Sequence, residues 1–342
     1  MKALMYTAPK TLEIVAIPRP MVGEGDVLIK ILASCICGSD VHGWFGTNGR
    51  RFPPMIMGHE FSGRVEELGS KVENLKLGDI VTVQPCLSCF SCPTCQSGMN
   101  QNCPEKKVLG VFDNNGGMQE YIAVPAKYCF TLPEGMDYRL GSLVEAFAVS
   151  YAALKKAGDL KGKRVLIIGA GAIGLFALMA AKMQDPKQIV MSDLSEDRLK
   201  IAKELGATDV INPSKMDYET SIETVFGGLK ADVTIEAVGI EITANQAVDA
   251  TAPGGLSIWI GNNQKKITVD MQDIVTKEIA IKGTYIYTHK EFGEAVTLLS
   301  KLDVDLFLSH CIEIPLEEAA DMFATLGDEP ETCLRSIIVF EP

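Results

Sequence analysis

The sequence has 342 residues, and its 32 basic against 44 acidic side chains give a formal net charge of −12. This length exceeds what one ordinary hydrophobic core serves, so about two domains are expected, and 47% hydrophobic with 22% charged residues excludes a disordered or collagen-like chain. The acidic balance argues against a general nucleic-acid or anionic-membrane surface, because both would repel the folded chain.

Cysteine usage and the N-terminus bear on the cellular compartment. The ten cysteines suit either a disulfide framework or a metal protein. Residues 1–6 lack the long apolar run of a signal peptide, and no stretch approaches the roughly 18 to 20 apolar residues of a membrane span. We therefore expect a cytoplasmic, reducing compartment, in which disulfides are rare.

The first 147 residues contain short β-rich runs, such as 27–32 and 79–83, separated by turns rich in glycine, proline and asparagine. This pattern is typical of a compact, mostly antiparallel β unit. The sequence therefore predicts a β-rich first domain, in which residues from about 85 to 104 form a cysteine-rich lobe.

From residue 148 to 288 apolar strands alternate with helices. The predicted strands are 163–168, 188–191, 210–211, 232–236, 256–260 and 279–287. The predicted helices are 170–183, 195–205, 218–226 and 243–251, with Ser195 as the N-cap of the second. Repeated βα units of this length predict a doubly wound parallel sheet, so the fold class is α/β.

The remaining segment, 289–342, reads as a helix, a loop, a second helix and a terminal strand at 335–340. These elements are too few to form a core of their own. We therefore expect this segment to pack against the first domain.

Four cysteines in the lobe have the spacing of a metal site: Cys89, Cys92, Cys95 and Cys103. Four thiolates brought together by short turns can surround one tetrahedral Zn²⁺ and leave no open position for chemistry, so a structural zinc site is predicted. The alternatives are free or disulfide-bonded cysteines and an iron–sulfur cluster. Cys86 fits the spacing less well and is interpreted as a spare thiol.

A G-x-G-x-x-G motif, formed by Gly169, Gly171 and Gly174, stands where a predicted strand turns into a helix. These glycines would allow a tight turn, close approach of a pyrophosphate and close helix–strand packing. Asp193, at the end of the next strand, matches the carboxylate that binds a ribose 2′-hydroxyl, which favours NAD over NADP. Arg198, in the following helix, leaves open a phosphate contact, although adenine stacking suits it better.

Three further segments carry chemistry-bearing side chains: 35–42 (C-I-C-G-S-D-V-H), 58–60 (G-H-E) and 144–147 (V-E-A-F). With these, the whole chain resembles the zinc-dependent medium-chain dehydrogenase/reductase family. The most specific matches are C-G-S-D-x-H, G-H-E-x-x-G at 58–63, the four-cysteine lobe, G-G-x-x-E-Y at 116–121 and the glycine motif, in that order. Glu145, where classical alcohol dehydrogenases carry a cysteine, makes the chain most similar to the polyol branch, which includes sorbitol, galactitol-1-phosphate, butanediol and threonine dehydrogenases.

The resemblance implies a GroES-like β-rich catalytic domain at 1–147, a Rossmann coenzyme domain at 148–288, and a final segment, 289–342, that returns to the catalytic domain. It also implies two zinc ions per chain, one catalytic and one structural. The catalytic zinc would be held by Cys37 and His59, with Glu60 as a third or alternating ligand and Glu145 bound directly or through water. Ser39 and His42 resemble the family's proton relay, and Asp40 is expected to support a ligand.

By the same resemblance, further residues would contact the cofactor: Ile173, Asp193, Arg198, Val238, Ile260 and Gly261. The implied reaction is the reversible oxidation of a secondary alcohol to a ketone with hydride transfer to NAD. Two arginines, Arg50 and Arg51, are candidates for holding a phosphate or carboxylate of the substrate, with an exposed basic turn as the alternative. Two aromatic residues, Trp44 and Phe112, are candidates for an apolar wall, with core packing as the alternative.

Gly43 and Ile286 stand where sorbitol-dehydrogenase-like members have an aromatic residue and an arginine, so sorbitol itself is not favoured as the substrate. We expect a polyol, a sugar alcohol or a sugar derivative that is phosphorylated or acidic. A threonine- or butanediol-type dehydrogenase and a noncatalytic zinc- and NAD-binding protein are the alternatives. The resemblance also predicts a homodimer or homotetramer that pairs through the edge strand 279–287.

Overall fold

The structure, a computed structural model, describes residues 1–47 and 49–341. Contacts divide the chain into two compact units. One unit comprises Met1–Glu145 together with the segment from Thr288 onward, and the other comprises Ala146–Tyr287. No helix in the described part of the chain combines the length and the hydrophobicity needed to cross a membrane.

Short strands dominate the first part of the chain. They are β1 (Lys2–Ala8), β2 (Thr11–Ala16), β3 (Asp26–Ile36), β4 (Met55–Ile56), β5 (Phe61–Leu68), β6 (Ile80–Val83), β7 (Cys86–Leu87), β8 (Lys107–Val108), β9 (Tyr121–Pro125) and β10 (Cys129–Thr131). The helices are α1 (Gly38–Trp44), α2 (Pro93–Gln96) and α3 (Tyr138–Ala157), with single 3₁₀ turns at Asn100–Asn102 and Ala126–Tyr128.

Strands and helices alternate in the second unit. The strands are β11 (Arg164–Ile168), β12 (Gln188–Ser192), β13 (Asp209–Ile211), β14 (Ala231–Glu236), β15 (Thr251–Trp259) and β16 (Ala280–Gly283). The helices are α4 (Ala172–Lys182), α5 (Glu196–Glu204), α6 (Tyr218–Val225), α7 (Glu241–Ala250) and α8 (Met271–Thr276).

These six strands form one sheet in the order β13-β12-β11-β14-β15-β16, and every pair is parallel. The order reverses between β11 and β14, so the loops that follow these two strands meet at one edge of the sheet. The prediction of a doubly wound parallel sheet is confirmed. As predicted, Ser195 caps α5, since its side chain accepts a hydrogen bond from the backbone N–H of Arg198.

The sixth strand is shorter than predicted. Only Ala280–Gly283 of the expected segment 279–287 pairs with β15. Ile286 has a φ of +42°, a left-handed conformation that extended backbone does not allow. The strand therefore ends before the turn, and β16 forms an edge of the sheet.

The chain then adds α9 (His289–Leu299), α10 (Asp305–Ser309), β17 (Ile312–Pro315), a 3₁₀ turn at Leu316–Glu318, α11 (Ala319–Asp328) and β18 (Ser336–Val339). β18 pairs antiparallel with β3, which places the terminal strand inside the main sheet of the first unit. That sheet has the order β10-β6-β5-β3-β18-β17, with β9 also on β3, and smaller sheets are formed by β2-β1-β4 and β7-β8. Buried side chains from both segments share one core, including Leu4, Ile29, Val65, Phe323 and Ile338.

Candidate metal centres and nucleotide site

The four lobe cysteines converge in the structure. The sulfur atoms of Cys89, Cys92, Cys95 and Cys103 all lie within 4.8 Å of one another. The sulfurs of Cys89 and Cys103 are 3.5 Å apart, and those of Cys92 and Cys103 are 3.9 Å apart. Four thiols at this separation fit a tetrahedral ion with sulfur ligands, which is the donor set of a closed zinc site.

Short turns orient these sulfurs and donate hydrogen bonds to them. The backbone N–H of Cys92 donates to Cys89 Sγ at 3.4 Å, and that of Cys95 donates to Cys92 Sγ at 3.5 Å. Hydrogen bonds from the side chain and backbone of Ser91 lower the pKa of Cys89 to about 6. A thiolate is the form that binds metal, so these hydrogen bonds prepare Cys89 for a cation. Burial and the neighbouring thiols raise the pKa of Cys95 to about 12, so Cys95 would lose its proton when the metal binds.

Cys86 lies outside this group. It is buried on β7, burial raises the pKa of its thiol, and its sulfur contacts the hydroxyl of Ser88 at 4.0 Å. These contacts agree with the interpretation of Cys86 as a spare thiol.

A second group of ligand atoms, from Cys37, His59 and Glu60, also lies within 4.8 Å. Cys37 follows the last residue of β3, and the other two belong to the turn before β5. A backbone hydrogen bond from the N–H of Cys35 to the carbonyl of Glu60, at 2.8 Å, joins the two segments. Gly58 permits this turn because its φ is +95°, a conformation that other residues rarely adopt.

Asp40 lies directly behind two of these residues. Its Oδ1 is 3.4 Å from Nδ1 of His59, and its Oδ2 accepts a hydrogen bond from the N–H of Cys37 at 3.3 Å. Burial alone would raise the pKa of Asp40, but His59 and Arg51 hold it well below its usual range. A carboxylate that orients the free nitrogen of a ligand imidazole is a common arrangement behind protein metal sites, so the site fits a divalent metal ion.

Glu60 has a cationic partner, Arg335, which sequence reasoning missed. Nε and one terminal nitrogen of Arg335 donate to the two carboxylate oxygens of Glu60 at 3.1 and 3.0 Å. This pair depends on the long-range pairing of β18 with β3, for which the local sequence contains no signal. Because both oxygens of Glu60 are engaged, the geometry favours an alternating role for this carboxylate over a permanent one.

The other predicted catalytic residues lie around this group. The hydroxyl of Ser39 is 3.4 Å from Cys37 Sγ, and His42 is exposed on the same helix, α1. Residues three apart in a helix share a face, so Ser39 and His42 point to the same side of α1. Glu145 is buried on α3, and among the described residues it is not part of the group of ligand atoms within 4.8 Å. Its proposed binding to the metal stays a prediction.

The structure separates the candidate substrate residues. Trp44 is buried in the first core against Phe323, with ring centroids 6.4 Å apart, which favours the core-packing alternative for it. Phe112 is 44% exposed and stacks on Phe52. Arg50 is exposed, whereas the side chain of Arg51 is only 2% exposed and pairs with Asp40. The expectation that both arginines reach a substrate anion therefore does not fit the burial of Arg51.

The glycine motif turns at the carboxyl end of β11. Gly169 has a φ of +99°, and a Cβ on Gly174 would lie 1.7 Å from the carbonyl oxygen of Gly169, so helix α4 could not approach the strand as it does. A Cβ on Gly171, in contrast, would meet nothing within 4 Å. Open space in front of a helix N-terminus is what a pyrophosphate requires, so this turn fits a dinucleotide.

Two carboxylates organise the same edge of the sheet. Asp193, after β12, accepts hydrogen bonds from the N–H groups of Ala170 at 2.6 Å and Ser195 at 2.9 Å. Glu236, which sequence analysis did not single out, is buried at the end of β14. It accepts hydrogen bonds from the N–H of Val238 at 2.9 Å and of Gly239 at 2.7 Å.

The remaining candidate cofactor residues lie on the same edge or beside it. Ile260 and Gly261 follow β15, and their N–H groups donate to the carbonyl of Glu236. Val238 packs over the glycine turn, because its Cγ2 would be 2.8 Å from a Cβ on Gly169. Ile173 and Arg198, in the first turns of α4 and α5, are half-buried. The fold thus places the candidate cofactor residues at or beside the carboxyl edge of the parallel sheet.

Comparison with protein families gives two matches. Residues 23–134 match the model for the alcohol dehydrogenase GroES-like domain, and residues 172–301 match the model for the zinc-binding dehydrogenase domain.

Characterised proteins align with nearly the whole chain. Sheep (Ovis aries) sorbitol dehydrogenase is 33% identical over 94% of this chain and 92% of its own. L-galactonate-5-dehydrogenase of Escherichia coli K12 is 32% identical over 99% of both chains.

Solved structures of dehydrogenases are also similar to this chain over nearly its whole length. A zinc-binding dehydrogenase from Sinorhizobium meliloti bound to NADP has a TM-score of 0.90 at 27% identity, over 99% of both chains. An alcohol dehydrogenase from E. coli CFT073 complexed with NADH has a TM-score of 0.92 at 28% identity, also over 99% of both chains.

Proposed function

The chain belongs to the zinc-dependent medium-chain dehydrogenase/reductase family, and from this premise we propose that it reversibly oxidises a secondary alcohol of a polyol, sugar alcohol or sugar acid to a ketone, with NAD as the hydride acceptor. The match to the zinc-binding dehydrogenase domain supports zinc, and the neighbours bound to NADP and NADH support a nicotinamide cofactor. The choice of NAD, the number of zinc ions and the substrate class are the parts proposed here.

The observation that carries the proposal is the group formed by Cys37, His59 and Glu60. Cys37 and His59 would supply a thiolate and an imidazole, with Glu60 as an alternating carboxylate ligand. This set would leave a tetrahedral ion an open position for an alcohol oxygen, unlike the four-cysteine site. A metal ion bound there would polarise the substrate oxygen as a Lewis acid, while the nicotinamide accepts the hydride. The four-cysteine lobe would hold the second zinc ion as a structural site.

The chain's own residues would position the ligands and remove the proton. Asp40 orients His59, and Arg335 holds Glu60 away from permanent ligation. The reaction yields a ketone, NADH and one proton. Ser39 and His42, on one face of α1, are proposed to pass that proton from the substrate hydroxyl to solvent, a task that suits an exposed imidazole.

Asp193 supports NAD over NADP. Its carboxylate is held by two backbone N–H groups at the end of β12, where an adenine ribose lies in dinucleotide folds. A negative charge there accepts a hydrogen bond from a 2′-hydroxyl and repels a 2′-phosphate. Arg198, in the next helix, is proposed to stack on the adenine, with a contact to a 2′-phosphate as the alternative.

The relatives support a substrate with several hydroxyl groups, since they are named for sorbitol and L-galactonate. Arg50 is the exposed member of the arginine pair and is proposed as the contact for a carboxylate or phosphate. Threonine- or butanediol-type activity is the alternative within the same chemistry. The edge strand β16 supports a homodimer or homotetramer as the assembly.

The test is an initial-rate screen of the purified, zinc-loaded protein with sorbitol, L-idonate, L-galactonate, galactitol 1-phosphate, 2,3-butanediol and L-threonine. Each substrate is supplied with NAD and, separately, with NADP. We expect activity with a polyol or sugar acid, at a kcat/KM at least ten times higher with NAD. The Cys37→Ala variant should lose activity, whereas Cys129→Ala, a buried cysteine outside both metal groups, should retain it. Activity with L-threonine alone, or equal activity in Cys37→Ala, would contradict the proposal.

A further inference from the structure

Arg51 is unusual among the arginines because its side chain is almost completely buried. It is 2% exposed, and its partner Asp40 is 0% exposed. Arginine is mostly exposed in proteins, and a buried charge is costly unless it is paired and hydrogen-bonded. The contacts of a buried arginine therefore indicate which side chains it holds in place.

The contacts of Arg51 converge behind the proposed catalytic metal site. One terminal nitrogen donates to Asp40 Oδ1 at 2.7 Å, and Nε donates to the same oxygen at 3.3 Å. The same terminal nitrogen donates to the hydroxyl of Ser39 at 3.3 Å. The guanidinium therefore touches the two side chains that in turn contact His59 and Cys37.

Asp40 and Ser39 reach the ligands by separate atoms. Oδ1 of Asp40 lies 3.4 Å from His59 Nδ1, Oδ2 accepts from the N–H of Cys37, and the Ser39 hydroxyl lies 3.4 Å from Cys37 Sγ. A shift of Asp40 would thus disturb both ligands at once, whereas a shift of Ser39 would disturb Cys37. Within residues 1–47 and 49–341, Arg51 is the residue whose side chain donates hydrogen bonds to both of these side chains.

We propose that Arg51 is a positioning residue that fixes Asp40 and Ser39, and through them sets the geometry and affinity with which Cys37 and His59 hold the catalytic metal. This inference rests on the proposed function of the Cys37 group as a metal site. Arg51, which the sequence suggested as a contact for a substrate anion, is thereby assigned instead to the support of the metal ligands.

The shape of the guanidinium explains why an arginine is needed. Its planar set of donors bonds Asp40 and Ser39 simultaneously, while the ammonium of a lysine is a compact charge on a flexible stem. A neutral residue would leave Asp40 as a buried carboxylate without its nearer cationic partner, at 2.7 Å, which is more costly than removing the pair together. A substrate anion, in contrast, would require a guanidinium that reaches solvent.

The test compares Arg51→Lys and Arg51→Met with Arg164→Lys. Arg164 is the matched control because it is also largely buried, at 16% exposure, and pairs with a carboxylate, Asp232, in the other unit. Zinc affinity of the open site is measured by competition with a chromophoric chelator, and the cobalt-substituted proteins are compared by their visible absorption spectra.

We expect both Arg51 variants to lose about 10- to 100-fold in metal affinity, the range found for residues that support metal ligands, and to show an altered cobalt spectrum. Arg164→Lys should match the wild-type protein in both measurements. If Arg51→Met fails to fold, Arg51→Lys decides the result alone.

Two results would overturn the inference. One is wild-type metal affinity and spectrum in Arg51→Lys. The other is a rise in KM for anionic substrates alone, with metal binding unchanged, which would indicate that Arg51 contacts the substrate. Cys37→Ala separates this failure from that of the proposed function: if it binds metal as the wild type does, the metal site itself is wrong and the inference falls with it.

Discussion

Glycines 171 and 174 show how one motif can serve two different purposes at the level of single atoms. A methyl group on Gly174 would collide with backbone, 1.7 Å from a carbonyl oxygen, whereas one on Gly171 would project into open space. Gly174 is therefore required by the fold of the second unit. Gly171 is required only when a ligand approaches the turn.

This difference predicts opposite effects of two alanine substitutions. Gly174→Ala should destabilise the protein by about 1 to 3 kcal/mol or more, because backbone must move to relieve the collision. Gly171→Ala should leave thermal stability within about 1 kcal/mol of the wild type, since its φ of −73° suits alanine. It should nevertheless weaken NADH binding at least tenfold, because its methyl group would occupy the space of the pyrophosphate.

Thermal unfolding and fluorescence titration with NADH measure the two effects separately. The prediction that the pyrophosphate lies beside Gly171 would be wrong if Gly171→Ala bound NADH as tightly as the wild type. Each variant serves as the control for the other, because both add a single methyl group to the same turn.

Individual residues also show what sequence reasoning could reach. The candidate ligands Cys37 and His59 were identified from motifs, since metal ligation restricts residue type and spacing. Arg335 could not be found in this way, because its contact with Glu60 depends on strand pairing across more than 270 positions of the chain. Arg50 and Arg51 are adjacent, and no local pattern tells which of them faces the interior.

At the level of elements, the first residue of helix α9, His289, joins this helix to the β-rich part of the first unit. Nδ1 of His289 lies 2.6 Å from Gln84 Oε1, and its ring packs at 5.1 Å from the ring of Phe130 and 5.3 Å from that of Phe90. Burial and the positive charge of Lys127 lower the pKa of His289 below its usual value. The fold therefore favours the neutral imidazole, which donates to Gln84 through Nδ1.

The sign of the pH dependence follows from this shift. The folded protein holds the proton on His289 less tightly than the unfolded chain does, whose histidine has a pKa of about 6.5. The contribution of neutral His289 to the free energy of unfolding is therefore complete above about pH 6.5 and is lost as the pH falls below it. His289→Asn places an amide donor near Nδ1 and does not titrate, so its stability should decline less between pH 7.5 and pH 5.

The measurement is the difference in urea midpoint between His289→Asn and the wild type at several pH values. The subtraction removes the pH dependence that both proteins share, including that of any bound metal. Parallel curves for the two proteins would contradict the assignment of this effect to His289.

Elements were predicted well where their own sequence pattern determines them. The alternation of apolar strands and helices predicted the six strands of the parallel sheet and helices α4 to α7, because buried parallel strands and their helices have distinct patterns. The short helix α8 was not predicted. Boundaries were less predictable. β15 begins five residues before the expected 256–260, and β16 covers less than half of 279–287, since pairing partners and a left-handed residue decide where a strand ends.

At the scale of the whole molecule, both metal groups belong to the first unit, but they differ in how many ligand atoms the protein supplies, four in the lobe and three in the Cys37 group. All four ligands of the lobe come from one continuous segment of 15 residues, Cys89 to Cys103, whereas Cys37 and the pair His59 and Glu60 come from separate segments. The fold class and the existence of both groups could be predicted from the sequence. The support of a ligand by Asp40 was expected from the family resemblance. The contacts of Arg51 with Asp40 and of Arg335 with Glu60 could not be predicted, because they exist only after the sheet has formed.

This difference predicts an ordered loss of two zinc ions. A chelator such as 1,10-phenanthroline should remove the first equivalent quickly, because the open position of the Cys37 group admits an external ligand. Activity should then fall to background while the circular dichroism spectrum stays unchanged. Removal of the second equivalent, by a thiol-binding mercurial, should lower the melting temperature, because the lobe loses the ion that joins its turns.

Metal content by mass spectrometry, activity and melting temperature are followed on the same samples. Cys95→Ser should reproduce the loss of one zinc ion and the lowered melting temperature. Cys86→Ser, a buried cysteine of the same lobe outside the metal group, should retain both zinc ions. A wild-type protein with one zinc ion per chain, or activity that persists after the first equivalent is removed, would show that the two sites do not have the separate roles assigned to them.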